Sequence, residues 1–267
     1  MKTEICRCLL RLGCVLLMLM MAGCLSFEAE SDHMDSDISL QELLKREEAA
    51  RDPGNVFRRA DSYVQKQILT DQNGRKKICI VRFLAPDCLR TTLYNDNKQE
   101  QETILNGNSG WQVDHVKRSV TPLSQEFASR LRLFYQLNET SSNAYGKLFE
   151  KIDISRCRIG EENVYKLVCH PFRDDQFGFI EYIGESSFLP RRMRITAPGD
   201  PDQVLVEIII DRYALFEGVM VPEQIRRTGM VKNSSRVIEH HLNVPMKRTD
   251  FLPPVFPQII EDEEDND

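Results

Sequence analysis

Beyond residue 60 the chain alternates apolar and polar positions in run after run, the period of strands with one buried face. Tyr63 to Leu69, Lys77 to Leu84 and Leu89 to Tyr94 read as strands, the last two separated by Ala85-Pro86-Asp87. Thr103 to Leu105 and Trp111 to Val113 flank Asn106-Gly107-Asn108-Ser109-Gly110, residues suited to the positive φ of a hairpin turn. The alternation resumes in Cys157 to Ile159, Val164 to Cys169, Phe179 to Ile183, Met193 to Thr196, Val204 to Tyr213, Val219 to Arg227 and Val237 to Val244. So many short strands with turns between them predict a mainly β chain with some helices (α+β), built on an antiparallel sheet or barrel.

Three stretches depart from that period. Leu40, Leu43, Leu44 and Glu47 to Ala50 have helical spacing, with Ser39 placed to cap the start and Pro53-Gly54 to end it. Thr121-Pro122 predicts a helix start with proline at the first position, after which Leu123, Phe127 and Leu131 fall on one face. Tyr145 to Phe149 predicts a second, shorter helix in this region.

Composition narrows the class. In 267 residues, 41% are apolar and 28% charged, which excludes a wholly disordered, collagenous or multi-span membrane chain. The net charge of −6 argues against nucleic acid as the main partner, because phosphate binding needs a basic surface. The N-terminus then changes the picture. Lys2, Arg7 and Arg11 precede an uncharged run from Leu12 to Phe27. That run is shorter than the roughly 20 residues a membrane span needs, and it fits the apolar core of an export signal.

The run contains Met21-Ala22-Gly23-Cys24, which resembles the lipobox of a bacterial lipoprotein signal, with Met21 in place of the usual leucine. The resemblance implies that residues 1–23 are removed and that Cys24 becomes an acylated first residue, a partner of the membrane. Leu25 is not the aspartate associated with inner-membrane retention, so the outer membrane, facing the periplasm, is expected. Residues 24–37 then read as a polar tether and 38–257 as a single domain. Residues 258–267, with six acidic side chains from Glu261 onward, read as a solvated tail. Cys79, Cys88, Cys157 and Cys169 would lie in a compartment that permits disulfides, and their spacing leaves pairing or buried thiols equally open.

Across residues 60–257 the order of features resembles the periplasmic lipoprotein carriers, LolA and its outer-membrane acceptor LolB, and related lipoprotein-sorting proteins. The resembling residues are Tyr63 to Leu69, the strand pair around Ala85-Pro86-Asp87-Cys88-Leu89-Arg90, the hairpin ending in Trp111, and the helix after Pro122. Glu181-Tyr182-Ile183, Leu189-Pro190-Arg191-Arg192, Tyr213 with Gly218 and Val221-Pro222, and Phe251-Leu252-Pro253-Pro254 continue the series. The resemblance implies an unclosed antiparallel barrel with helices covering its concave side, and a cavity for acyl chains.

Catalytic constellations are missing. Gly107-Asn108-Ser109-Gly110 and Gly184-Glu185-Ser186-Ser187 do not make a nucleophile elbow, and phosphate-loop and dinucleotide glycine patterns are absent. His240-His241 would point to opposite faces of a strand and so could not easily share a metal. No cofactor and no metal are expected. Val204, Val206, Ile208 and Ile210 form a wholly apolar face on the longest strand, and with Leu123, Phe127 and Leu131 they are the candidate lining of the cavity. The expected function is a non-enzymatic, lipid-anchored binding protein that holds acyl chains of a lipoprotein or other lipid. The alternative is an envelope scaffold whose barrel is filled by its own side chains.

Overall fold

The computed structural model describes residues 30–129, 131–132 and 145–256. The signal segment, Cys24 and the tail after residue 257 lie outside the described residues. Among the described residues fourteen strands form one unclosed sheet, and every strand pair whose register is given below is antiparallel. They are β1 (Glu30–Asp35), β2 (Ser62–Asp71), β3 (Lys76–Leu84), β4 (Cys88–Asn95), β5 (Lys98–Asn106), β6 (Ser109–Asp114) and β7 (Ser119–Pro122). After them come β8 (Lys151–Ile159), β9 (Glu162–His170), β10 (Gly178–Gly184), β11 (Pro190–Ala197), β12 (Asp200–Phe216), β13 (Val219–Gly229) and β14 (Asn233–Leu242). Their order is β1-β8-β9-β10-β11-β12-β13-β14-β2-β3-β4-β5-β6-β7, so β1 and β7 are the edges. The helices are α1 (Leu40–Arg51), α2 (residues 125–129 and 131–132) and α3 (Tyr145–Leu148).

Local signals explain most of these elements. The Ser39 hydroxyl accepts the Glu42 N–H at 3.2 Å, the N-cap of α1. Gly107, at φ +60, supplies the left-handed residue of the β5–β6 turn. Two expectations need correction. Part of the stretch read as a tether is strand β1, which pairs with β8. A polar edge strand is held by its backbone hydrogen bonds and needs no apolar alternation. The Thr121-Pro122 pair does not start a helix, because both residues close edge strand β7, with Pro122 opposite Trp111. Proline lacks an N–H and is tolerated at such an edge. Helix α2 starts later, where the Ser124 hydroxyl accepts the Phe127 N–H at 3.2 Å.

By contacts the chain divides into two compact units. In the first, α1 and α3 accompany β8 to β11, β12 up to Asp211 and β13 from Ile225. One face of its sheet carries Ile208 opposite Met193, Met193 opposite Glu181, and Glu181 opposite Leu167. Phe149 stacks on Phe179 with ring centroids 6.2 Å apart, and the Tyr145 hydroxyl donates to Glu181 Oε2 at 2.5 Å. Leu43 and Leu44 of α1 are buried as well. The other face holds Cys157, Val164, Ile180 and Tyr182 in one apolar cluster. Beside it lies a charged group: Glu207 accepts from Arg194 Nε at 2.9 Å and lies 3.7 Å from Arg192 Nε. At the end of β13, Gly229 takes φ +91, and a Cβ there would sit 2.3 Å from the Leu205 carbonyl oxygen. Only glycine lets the two backbones approach that closely.

In the second unit β2 to β7 form a meander with the adjoining parts of β12, β13 and β14. One face gathers Tyr63, Cys79, Val81, Phe83, Leu89 and Leu105 in a cluster under Ala128 of α2. The opposite face packs Cys88, Ile104 and Val113 against Phe251 of the 3-10 turn Arg248–Phe251, with Trp111 at its margin. That second face also buries an acid. Glu102 accepts two hydrogen bonds from Arg90, at 2.8 and 2.6 Å, and one from Thr92 at 3.0 Å. Burial alone would raise the Glu102 pKa, but the bonds and charge of Arg90 outweigh it and hold the carboxyl below its ordinary value.

Candidate binding face

Residues Leu123 and Arg132 tie the described part of α2 and its approach to the β5–β6 hairpin. The Leu123 N–H donates to the Gly110 carbonyl at 2.9 Å. Arg132 donates to the Gly107 carbonyl at 3.2 Å and the Asn108 carbonyl at 2.9 Å. Between these ties the helix rests on the Tyr63 cluster, with Leu123 and Leu131 packed against it. Only Ala128 is fully buried there; Leu123, Phe127 and Leu131 are half-buried. The helix therefore covers an apolar face with large side chains that pack on it but stay half-buried.

The remaining residues expected to line a cavity lie in the first unit. Val204 and Val206 are half-buried, while Ile208 and Ile210 are each 3% exposed. Ile208 and Val206 stand opposite Met193 and Ile195, but a register shift sets Val204 opposite Thr196, so the expected four-residue face is broken at that bulge. A groove of about 780 Å³ opens at the β8–β9 and β10–β11 turns, lined by Glu162, Glu185, Arg191, Ile209 and Asp211 among others. Arg191 pairs there with Glu162 at 2.9 Å, and Arg156 pairs with Glu185. Its charged rim does not suit an apolar chain.

The residue that sequence reasoning passed over is His240. It is 4% exposed, and neither ring nitrogen has a hydrogen-bond partner. Its ring lies 5.3 Å from Tyr63, 6.4 Å from Phe57 and 6.4 Å from Phe216, centroid to centroid. Tyr63 in turn stacks on Phe83 at 5.4 Å, so His240 borders the same cluster that α2 covers. Burial pushes its pKa down to about 4; His241 adds to the shift and Glu217 opposes it. Glu217 is engaged elsewhere, accepting from the Leu242 N–H at 2.9 Å and lying 3.0 Å from His241 Nδ1. A signal was present in the sequence. Ile238, His240 and Leu242 alternate on one strand face, so the histidine stands where an apolar residue is expected.

Cys79, Cys88, Cys157 and Cys169 are all buried, and among the described residues no disulfide joins them. Burial, and then Glu181, raises the Cys169 thiol well above its ordinary value, which leaves it unreactive. Among the described residues no group of three or more His, Cys, Asp or Glu is placed to hold a metal, and no helix is long and apolar enough to cross a membrane.

No family model matches the chain, and no curated protein matches it. Solved structures do share its fold. A DUF1329 family protein from Desulfovibrio piger superposes with a TM-score of 0.58 at 11% identity, covering 82% of this chain and 98% of that one. A LolA superfamily protein from Nitrosomonas europaea gives 0.53 at 13% identity, over 81% and 98%. An outer membrane lipoprotein-sorting protein domain from Vibrio parahaemolyticus gives 0.53 at 10% identity, over 79% and 95%. The chain has the LolA-like fold that the order of its motifs implies.

Proposed function

We propose that this chain is a non-enzymatic, lipid-anchored binding protein of the bacterial envelope. Cys24 holds it in the outer membrane facing the periplasm, and it takes up an acyl chain of a lipoprotein or another lipid between α2 and the β2–β5 face. The observation that carries this reading is the cover itself. Helix α2 lies on a continuous apolar cluster but buries only Ala128 fully, while Leu123, Phe127 and Leu131 stay half-buried. An acyl chain slipped beneath it would gain about 0.8 kcal/mol per buried CH₂ and would complete the burial of those three side chains. Uptake needs no chemistry, only displacement of α2 about the Gly110 and Arg132 contacts.

In this reading the Val204 to Ile210 face serves differently. Ile208 and Ile210 are already covered by the protein's own atoms, so they form the packed floor of the first unit. The scaffold alternative, with a self-filled sheet, draws its support from that unit.

Native mass spectrometry tests the proposal. The full chain is taken from envelope membranes and released from detergent in the gas phase. We expect, besides the covalently anchored protein, a species heavier by one acylated lipid that is shed on mild activation. Anchored protein alone, with no sheddable lipid, is the result the scaffold alternative expects.

A further inference from the structure

A polar ring enclosed by apolar side chains, with both nitrogens unmatched, destabilises the fold and calls for an explanation. His240 is such a ring, and the packing around it has a direction. Phe57, Tyr63 and Phe216 surround it, and Tyr63 belongs to the cluster beneath Ala128 and Leu131 of α2. A ligand that lifts α2 therefore reaches Tyr63 first and His240 next. We infer that His240 is the hydrogen-bonding anchor for an uncharged polar group, a hydroxyl or an ester carbonyl, on the lipid held at this face. The inference rests on the proposed uptake of an acyl chain beneath α2.

The chemistry of the ring selects the group. A neutral imidazole offers one donor and one acceptor. A hydroxyl can use both, and an ester carbonyl uses the donor. A carboxylate would need a protonated ring to pair with, and the aromatic surround opposes burying that charge. Glu217 on the preceding turn and His241, next to His240 on β14, pair with each other and supply no spare cation. The ligand class that fits is thus a neutral acyl ester or a hydroxylated chain, and a free fatty acid is discriminated against.

Photolabelling separates these cases. Envelope membranes carrying the full chain are exposed to three diazirine reagents of equal chain length: a monoacylglycerol, a free fatty acid and a plain hydrocarbon. In the wild type the monoacylglycerol labels most strongly. His240→Phe keeps an aromatic ring in the cage, so hydrocarbon labelling persists and reports an intact fold. Monoacylglycerol labelling of that variant falls about tenfold, the loss of one hydrogen bond, and His240→Gln restores part of it. Equal monoacylglycerol labelling of wild type and His240→Phe, or fatty acid labelling the wild type as well as the ester, overturns the anchor and leaves uptake standing. No labelling of wild type by any reagent overturns the anchor and the proposed function together.

Discussion

Glu207→Ala lowers the stability of the fold by about 4 kcal/mol, the range found when one partner of a buried ion pair is removed. Glu207 is 5% exposed in the middle of β12. Its carboxylate accepts from Arg194 Nε at 2.9 Å and from the Thr228 hydroxyl at 3.4 Å, with Arg192 Nε 3.7 Å away. The side chains of Arg192 and Arg194 are only 5% and 11% exposed. Arg194 has a second hold, since it donates to the Tyr182 hydroxyl at 2.7 Å and lies 5.2 Å above that ring. Without the carboxylate, two guanidinium charges stay in a face that water reaches poorly. Urea denaturation measures the effect, and a loss under about 1 kcal/mol would mean that water relieves the arginines.

Stability also falls on acidification through His240, by about 3 kcal/mol in total. Its folded pKa is about 4, below the ordinary 6.5. Above pH 6.5 the ring is neutral in both states, and its contribution is fully present. Between pH 6.5 and 4 the unfolded chain takes up the proton while the folded chain does not. Stability therefore drops over that window and levels off below it. His240→Phe removes the titration, so the difference between wild-type and variant denaturation midpoints, followed from pH 7 to 4, isolates this group from the carboxylates. Parallel curves over that range would show that the buried ring does not titrate as described.

Helix α1 was readable because its signals are local: Ser39 before it, leucines on one face, Pro53-Gly54 after it. The longer strands were readable because one face of each is buried, which writes a period of two into the sequence. Edge strands β1 and β7 were not, since both are short and rich in polar residues, with too few apolar positions to write a period of two. Pro122 misled for the same reason: proline suits both a helix start and a strand edge. Glu207 stands among apolar residues of β12 and was visible in the sequence. Its neutralisation was not, because Arg194 comes opposite Glu207 only through the β11–β12 register. His240 was weighed beside His241 as a metal pair. Its enclosure by Phe57, Tyr63 and Phe216 depends on residues far apart in sequence.

The proposed acyl-chain site is the space between α2 and the face built on Tyr63, Phe83 and Leu105. Peptide mapping of the covalent adducts left by a diazirine monoacylglycerol in envelope membranes tests it most directly. Adducts are expected on both walls, on Leu123, Phe127 or Leu131 from α2 and its approach, and on Tyr63 or Leu242 from the sheet. Adducts confined to the residues next to Cys24, with none on either wall, would contradict it.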